Sequence, residues 1–290
     1  MRISSEHVIF EMNKDNEPAL QVDSGSTVVF ETLDCFSNTV QSEADVVSSI
    51  DFSKVNPATG PLYVNGAEPG DTLKVTIHSI KVADQGVVVT APGLGNLADS
   101  ITEEETVVCR VTDDYVDYKG IHIPLRKMIG VIGTAPAGEG VNTGTPHDHG
   151  GNMDTTRIAE GATLYLPVNV EGALLAMGDL HATMGDGEIM GDGLEIPGEV
   201  EVTVEVVKNF NLPVPLVETE DLWVTIGARE TLEEAGKLAT HNMVKLVQEK
   251  SELTFNQAGM LLSLAGNLHT CQVVNPNVSV RMELPKALLK

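Results

Sequence analysis

At 290 residues the chain has ample material for one large β domain or two smaller ones, and its fold needs no staples. Forty-two acidic against eighteen basic residues give a formal charge of -24, which repels phosphate backbones and anionic lipid surfaces and makes nucleic acid and membrane poor partners. Cys35, Cys109 and Cys271 are odd in number and far apart, which argues against both a disulfide framework and a thiolate zinc site. Met1-Arg2-Ile3-Ser4-Ser5-Glu6-His7 has no leader pattern and no apolar run approaches a bilayer span, so a cytoplasmic protein is expected.

In chain order, Val28, Phe30 and Thr32 alternate with other residues and lead into Asp34-Cys35. Asn65-Gly66 and Glu68-Pro69-Gly70-Asp71 read as turns before a strand on Leu73, Val75 and Ile77. Ala91-Pro92-Gly93 separates that strand from another on Val107, Cys109 and Val111. Fifteen of the 27 glycines then fall between Gly130 and Gly198, a stretch of tight turns and close backbone approaches. After Ile196-Pro197-Gly198, strict alternation returns on Val200, Val202, Val204 and Val206. The strand around Trp223 precedes a change of period: Leu232, Ala235, Ala239, Met243, Leu246 and Val247 recur at helical spacing after a capping box at Thr231-Leu232-Glu233-Glu234. A helix is predicted over about 231–249, a second over Phe255 to Leu264, and a last strand over Val278 to Leu284. The fold class is mainly β: an antiparallel sandwich or barrel body over 1–210, carrying the functional site, with a small α+β element over 211–290 packed on it.

Two clusters carry candidate chemistry: His147-Asp148-His149-Gly150-Gly151-Asn152-Met153-Asp154 and Gly178-Asp179-Leu180-His181. Side chains alternate along an extended strand, so His147 with His149, and Asp179 with His181, can share a face and meet at one ion. Imidazole suits zinc and similar ions, while Asp148, Asp154, Asp179 and Asp186 offer hard oxygens. His147-x-His149 followed by Asp154 and Gly161 looks somewhat like a first cupin motif, although glutamate is wanted at 154 and no second motif follows.

A longer resemblance runs through Thr32-Leu33-Asp34-Cys35, Gly66-Ala67-Glu68-Pro69-Gly70-Asp71, Gly130-Val131-Ile132-Gly133 with Pro136, His149-Gly150-Gly151-Asn152-Met153-Asp154, Gly178-Asp179-Leu180-His181-Ala182 and Gly185-Asp186-Gly187-Glu188. In order and spacing over about 25–210, the chain resembles the acetamidase/formamidase family. That resemblance implies a β-rich, homodimeric, metal-containing enzyme that hydrolyses the carbon–nitrogen bond of a short aliphatic amide to carboxylate and ammonia. Formamide and acetamide are its type substrates.

Amide hydrolysis needs help at both ends, since the carbonyl is a poor electrophile and the nitrogen a poor leaving group. A zinc-like ion would polarise the carbonyl and acidify a water. His149, Asp179 and His181, with Asp34 arriving from the N-terminal strand, are the predicted ligands. Glu188 is the predicted acid for the departing nitrogen. Asn152 is a candidate oxyanion donor. Asp154 and Asp186 are open between orienting a histidine, binding a second, harder cation such as calcium, and capping a turn. Cys35 reads as a packed core residue rather than a nucleophile. The alternatives to an amidase are a cupin-like oxygenase or isomerase, and a non-catalytic β-sandwich module with a structural cation.

Overall fold

In the computed structural model, which describes residues 1–289, the alternating stretches of the chain become strands. Thr72–Val82 buries Leu73, Val75, Ile77 and Ile80, and Gly198–Val207 buries Val200, Val202 and Val204. The two lie side by side, antiparallel, in a nine-stranded sheet. Its order is Arg2–Ile3, Ser26–Thr32, Gly198–Val207, Thr72–Val82, Thr163–Pro167, Leu216–Glu218, Leu222–Arg229, Val278–Pro285 and Asn267–Gln272.

A second sheet, of eleven strands, packs on the first, because Phe30, Ile77 and Val202 of one share a core with Ile132, Leu175 and Met177 of the other. Neither sheet closes on itself, so the body is a sandwich rather than a barrel. The central strand of the second sheet is Leu175–His181, which pairs with Met128–Gly133, Ala58–Asn65 and Glu195–Ile196. All seven of its residues are buried. A strand covered on both faces has no solvent side to mark with polar residues, which is why Leu-Ala-Met-Gly reads as an apolar run rather than an alternation.

The C-terminal strands complete the far side of the nine-stranded sheet, so the α+β element shares a sheet with the body. Helices α1 (Leu232–Glu249) and α2 (Phe255–Ala265) lie against this part, where Met243, Leu246 and Leu262 pack with Trp223 and Leu284. The Thr231 hydroxyl accepts from Glu234 N–H and donates to its carboxylate, and Thr254 with Gln257 forms a reciprocal capping box at α2. No helix among the described residues is long and apolar enough to cross a membrane.

A buried ion network fastens the C-terminal strand to the body. Arg281, almost fully buried, donates to both oxygens of Asp186 at 2.7 Å and to Glu283 at 2.7 Å, and Arg157 donates to Glu283 at 2.6 and 3.2 Å. Burial raises the Glu283 pKa, but the bonds from Arg157 and Arg281 outweigh it and hold the carboxyl below its usual value. A depressed folded-state pKa stabilises the protein above the unfolded value and is lost as pH falls through the folded one. We therefore expect Glu283→Gln to lose about 2–3 kcal/mol in urea unfolding at pH 7. The gap to the parent should narrow below about pH 4, where the parent's glutamate also takes up a proton. A gap that does not change with pH would show that the charge of Glu283 contributes nothing.

Candidate active site

His181, at the end of the central strand, is fully buried among carboxylates. Its Nε2 lies 2.9 Å from Glu195 Oε1, 3.5 Å from Asp179 Oδ1 and 3.9 Å from Glu188 Oε1. Asp154, His181 and Glu188 each offer a ligand atom within 4.8 Å of the others, and so do Cys35, Asp179 and Glu195. Strand pairing places two of these groups. His181 stands opposite Glu195 in the antiparallel register, so these two side chains share a face, and Asp179, two residues earlier on the same strand, comes within 3.5 Å of His181.

Close approach then depends on glycine. A Cβ on Gly130 would lie 2.5 Å from Asp154 Oδ1 and 2.5 Å from Asp179 Oδ2, so only a bare backbone lets the two carboxylates meet over that strand. One on Gly193 would lie 2.5 Å from His181 Nδ1. The ladder between Met128–Gly133 and Leu175–His181 skips the Gly130–Asp179 pair, where Asp179 takes φ +56°. Asp154 and Glu188 also hold left-handed backbone, at φ +45° and +48°. Such conformations cost of order 1–3 kcal/mol each and cluster where geometry serves a site.

Several of these acids are anchored by one oxygen and free at the other. Asn275 Nδ2 donates to Asp154 Oδ2 at 2.9 Å, and Oδ1 has no partner. Gly193 N–H donates to Glu195 Oε1 at 3.0 Å, and Oε2 has none. Val89 N–H donates to Asp192 Oδ2 at 2.6 Å, and Oδ1 has none. Glu188 Oε2 is also unpartnered. The approach of Glu195 to His181 is close but off-line, since neither ring nitrogen makes a hydrogen bond of ordinary geometry.

The electrostatics follow from this crowding. Burial first raises the pKa of both Asp154 and Glu188; repulsion from Asp179 adds to it at Asp154, and repulsion from Asp154 and then Asp179 adds to it at Glu188. Burial likewise raises Glu195, and it pushes Asp192 up to about 7. Burial alone would lower His181, but Glu195 and Asp179 reverse this and raise it. Buried, unpaired acid oxygens around one imidazole are costly without a compensating cation. One nitrogen donor among carboxylate oxygens, beside a thiol, is a set that suits a zinc-like divalent ion, and the free oxygens leave room for a harder one.

Of the other predicted residues, His147, His149 and Asp186 lie apart from this cluster, whereas Asp34 and Asn152 border it. His147 and Gly150 exchange backbone hydrogen bonds at 2.8 and 3.1 Å, so His147 to His149 form a tight hairpin rather than an extended strand, and alternation does not apply. His147 is exposed and Asp148 pairs with Arg229. His149 is buried with Nε2 unpartnered, but it lines a separate cavity of about 400 Å³ with Arg229 and Asn242, and burial lowers its pKa to about 4. Asp34 Oδ1 accepts from Phe36 and Asn38 N–H at 3.0 and 2.6 Å and closes a turn. Burial, assisted by repulsion from Asp179, raises it to about 6. Asn152 is buried in the strand Gly150–Asn152 with Oδ1 unpartnered. Asp186 is held by Arg281 and Thr156 and lies outside the acid cluster.

Two residues that the sequence does not mark as site residues, Glu195 and Asp192, belong to the cluster or border it, as does Cys35. Glu195 sits between buried Leu194 and Ile196, and an acid flanked by aliphatics signals a strand whose second face is also covered. Asp192 ends the third Met-Gly-Asp triplet. Cys35 is buried with its thiol at Asp179 and Glu195; burial, reinforced by Glu195, raises its pKa well above the ordinary value, so these neighbours lend it no activation as a nucleophile.

A family model described as the Acetamidase/Formamidase family matches the chain over residues 6–143 and 137–290. Among solved structures, an acetamidase from Bacillus halodurans superposes with a TM-score of 0.98 at 49% identity, covering 99% of this chain and 98% of that one. A predicted acetamidase/formamidase from Thermoanaerobacter tengcongensis gives 0.96 at 46% identity, over 99% and 96% of the two chains. A formamidase of Methylophilus methylotrophus is 28% identical over 224 residues, 57% of this chain and 55% of that protein. The chain spans about three fifths of the length of the curated relatives it matches.

Gly130→Ala should force Asp154 and Asp179 apart while leaving the strand in place. We expect at least tenfold weaker binding of zinc by calorimetry, with an unchanged far-ultraviolet circular dichroism spectrum. Unaltered affinity would separate the acid pair over Gly130 from any metal site.

Proposed function

The chain belongs to the acetamidase/formamidase family, and we propose that it is a metal-dependent amidase that hydrolyses the carbon–nitrogen bond of a linear amide to carboxylate and ammonia. Formamide and acetamide are the simplest substrates of that reading. The observation that carries it is the convergence of Asp154, Asp179, Glu188 and Glu195 on His181, with a buried oxygen of Asp154, Glu188 and Glu195 left without a partner.

Asp154, Asp179, His181 and Glu195 are the residues that would hold the ion, with zinc the best match to the mixed donors and calcium a candidate for a harder second position. A divalent ion there supplies Lewis-acid polarisation of the amide carbonyl and a water acidified from 15.7 to about 7. Asn275 fixes the orientation of Asp154, and the Gly193 N–H fixes that of Glu195, so the donors are set before substrate arrives. Glu188 faces a cavity of about 460 Å³ and keeps Oε2 free, which suits it to carry a proton to the departing nitrogen. Asn152 Oδ1 is also free and buried, and its amide group is a candidate donor or acceptor at the carbonyl end. A homodimer in the cytoplasm, with a neutral amide as ligand, completes the reading.

Ammonia release from formamide, acetamide and propionamide should fall to background on chelation and return with one of zinc or calcium. Asp179→Asn and His181→Ala should each lower kcat/KM at least a hundredfold with the fold intact by circular dichroism. Turnover that survives chelation, or either variant at parental rate, would overturn the metal-assisted mechanism. An oxygenase or isomerase would release no ammonia from any of the three.

Replacement of Cys35 by alanine gives a further check. We expect turnover to persist within about tenfold of the parent, whereas loss to background at full metal content would identify a nucleophile.

A further inference from the structure

Two cavities reach the acids, and Met190 and Asp192 line both. The smaller, of about 200 Å³, touches Cys35 and Asn275. The larger, of about 460 Å³, has Glu188 in its wall and is lined chiefly by Val88, Val116, Tyr118, Ile123, Met184 and Ile189. These come from a layer of strands, Gln85–Thr90, Tyr115–Tyr118 and Ile121–Pro124, and from the loop that follows His181 and carries Glu188 itself. In a chain of net charge -24, a concave wall of aliphatic and thioether side chains ending at a catalytic carboxylate is a departure that its surroundings do not require.

We propose that this cavity receives the acyl chain of the substrate, so that the preferred amides carry an apolar chain or ring of several carbons rather than the one or two of formamide and acetamide. This rests on the hydrolytic reading above. A space of about 460 Å³ corresponds to on the order of fifteen waters at about 30 Å³ each, and a formyl or acetyl group would leave nearly all of it wet. An amide group held at the acids would have Glu188 beside it, and Glu188 shares the wall of this cavity with Val88, Val116 and Ile123. Apolar area buried away from the reacting bond raises kcat/KM, because the binding it supplies is retained in the transition state. Asp186, also in the wall, is saturated by Arg281 and Thr156, and Arg126 makes no ion pair among the described residues.

The test is ammonia release by the metal-loaded enzyme from formamide, acetamide, butyramide, hexanamide and benzamide, each read as kcat/KM. From acetamide to hexanamide we expect a rise of about fourfold per added methylene, the factor for one CH₂ leaving water. Val88→Phe or Ile123→Trp, which fill the cavity, should lower the ratio of hexanamide to acetamide by at least tenfold. A kcat/KM that is highest for formamide or acetamide and falls with chain length would overturn the inference and leave the amidase reading standing. Release of ammonia from none of the five would overturn the amidase reading and this inference with it.

Discussion

Four carboxylates and one imidazole share a dry space at the centre of a sheet, and the rest of the molecule is arranged around that constraint. In water such a group of acids would spread apart and ionise. Inside the sandwich, burial and the neighbouring acids drive the pKa values of Asp154, Glu188 and Glu195 upward, and every oxygen without a donor has lost its hydration with nothing in return. A cation resolves both difficulties at once, which is why the arrangement argues for a metal more strongly than any single ligand does. The anchoring of one oxygen each of Asp154, Glu195 and the bordering Asp192 by Asn275, Gly193 and Val89 is consistent with this, since it leaves the second oxygen without a protein partner.

Holding like charges together requires a rigid frame. The central strand Leu175–His181 is fixed by neighbours on both edges and by core on both faces, so Asp179 cannot relax toward solvent. Gly130 and Gly193 are bare where the acids and the imidazole press closest. The left-handed backbone at Asp154, Asp179 and Glu188 shows the same demand from another side, because non-glycine residues adopt it only when their surroundings over-determine them. The network of Arg281, Asp186, Glu283 and Arg157 closes the C-terminal strand over the loop that presents Glu188, so the strength of that network and the placement of Glu188 are linked.

This division between frame and site explains what could be read from the amino-acid order alone. Strands such as Thr72–Val82 and Gly198–Val207 have one wet face, so their period of two is written in valines and charges, and α1 declares itself by its period and its threonine cap. Asp179 and His181 could be paired because they lie two apart on one strand. Glu195 could not, because its partnership with His181 depends on register between strands separated in the chain, and an acid between Leu194 and Ile196 looks like an outward-facing residue until the second face proves to be covered. His149 fails to join for the opposite reason: spacing suggested extended backbone, and the residues 147–150 form a hairpin instead. The role of Asp186 was hidden by Arg281, a residue nearly a hundred positions away that claims both of its oxygens.

Charge gives the proposed reaction a direction as well as a site. The substrate is neutral, so neither the surface charge of -24 nor the buried acids oppose its entry. Hydrolysis would turn it into a carboxylate and ammonia, and Asp154, Asp179, Glu188 and Glu195, the acids grouped around a divalent ion in this reading, would repel the anionic product. On the proposed mechanism those acids would act twice: they would hold a cation able to stabilise negative charge on the carbonyl, and they would keep the finished carboxylate from binding as tightly as its charge would otherwise allow. A site with the same ion held by neutral donors would bind its product more tightly and release it more slowly. On this argument the number of buried acids reflects turnover as much as metal affinity, and removing one that is not needed to retain the ion should slow product release before it slows the chemical step.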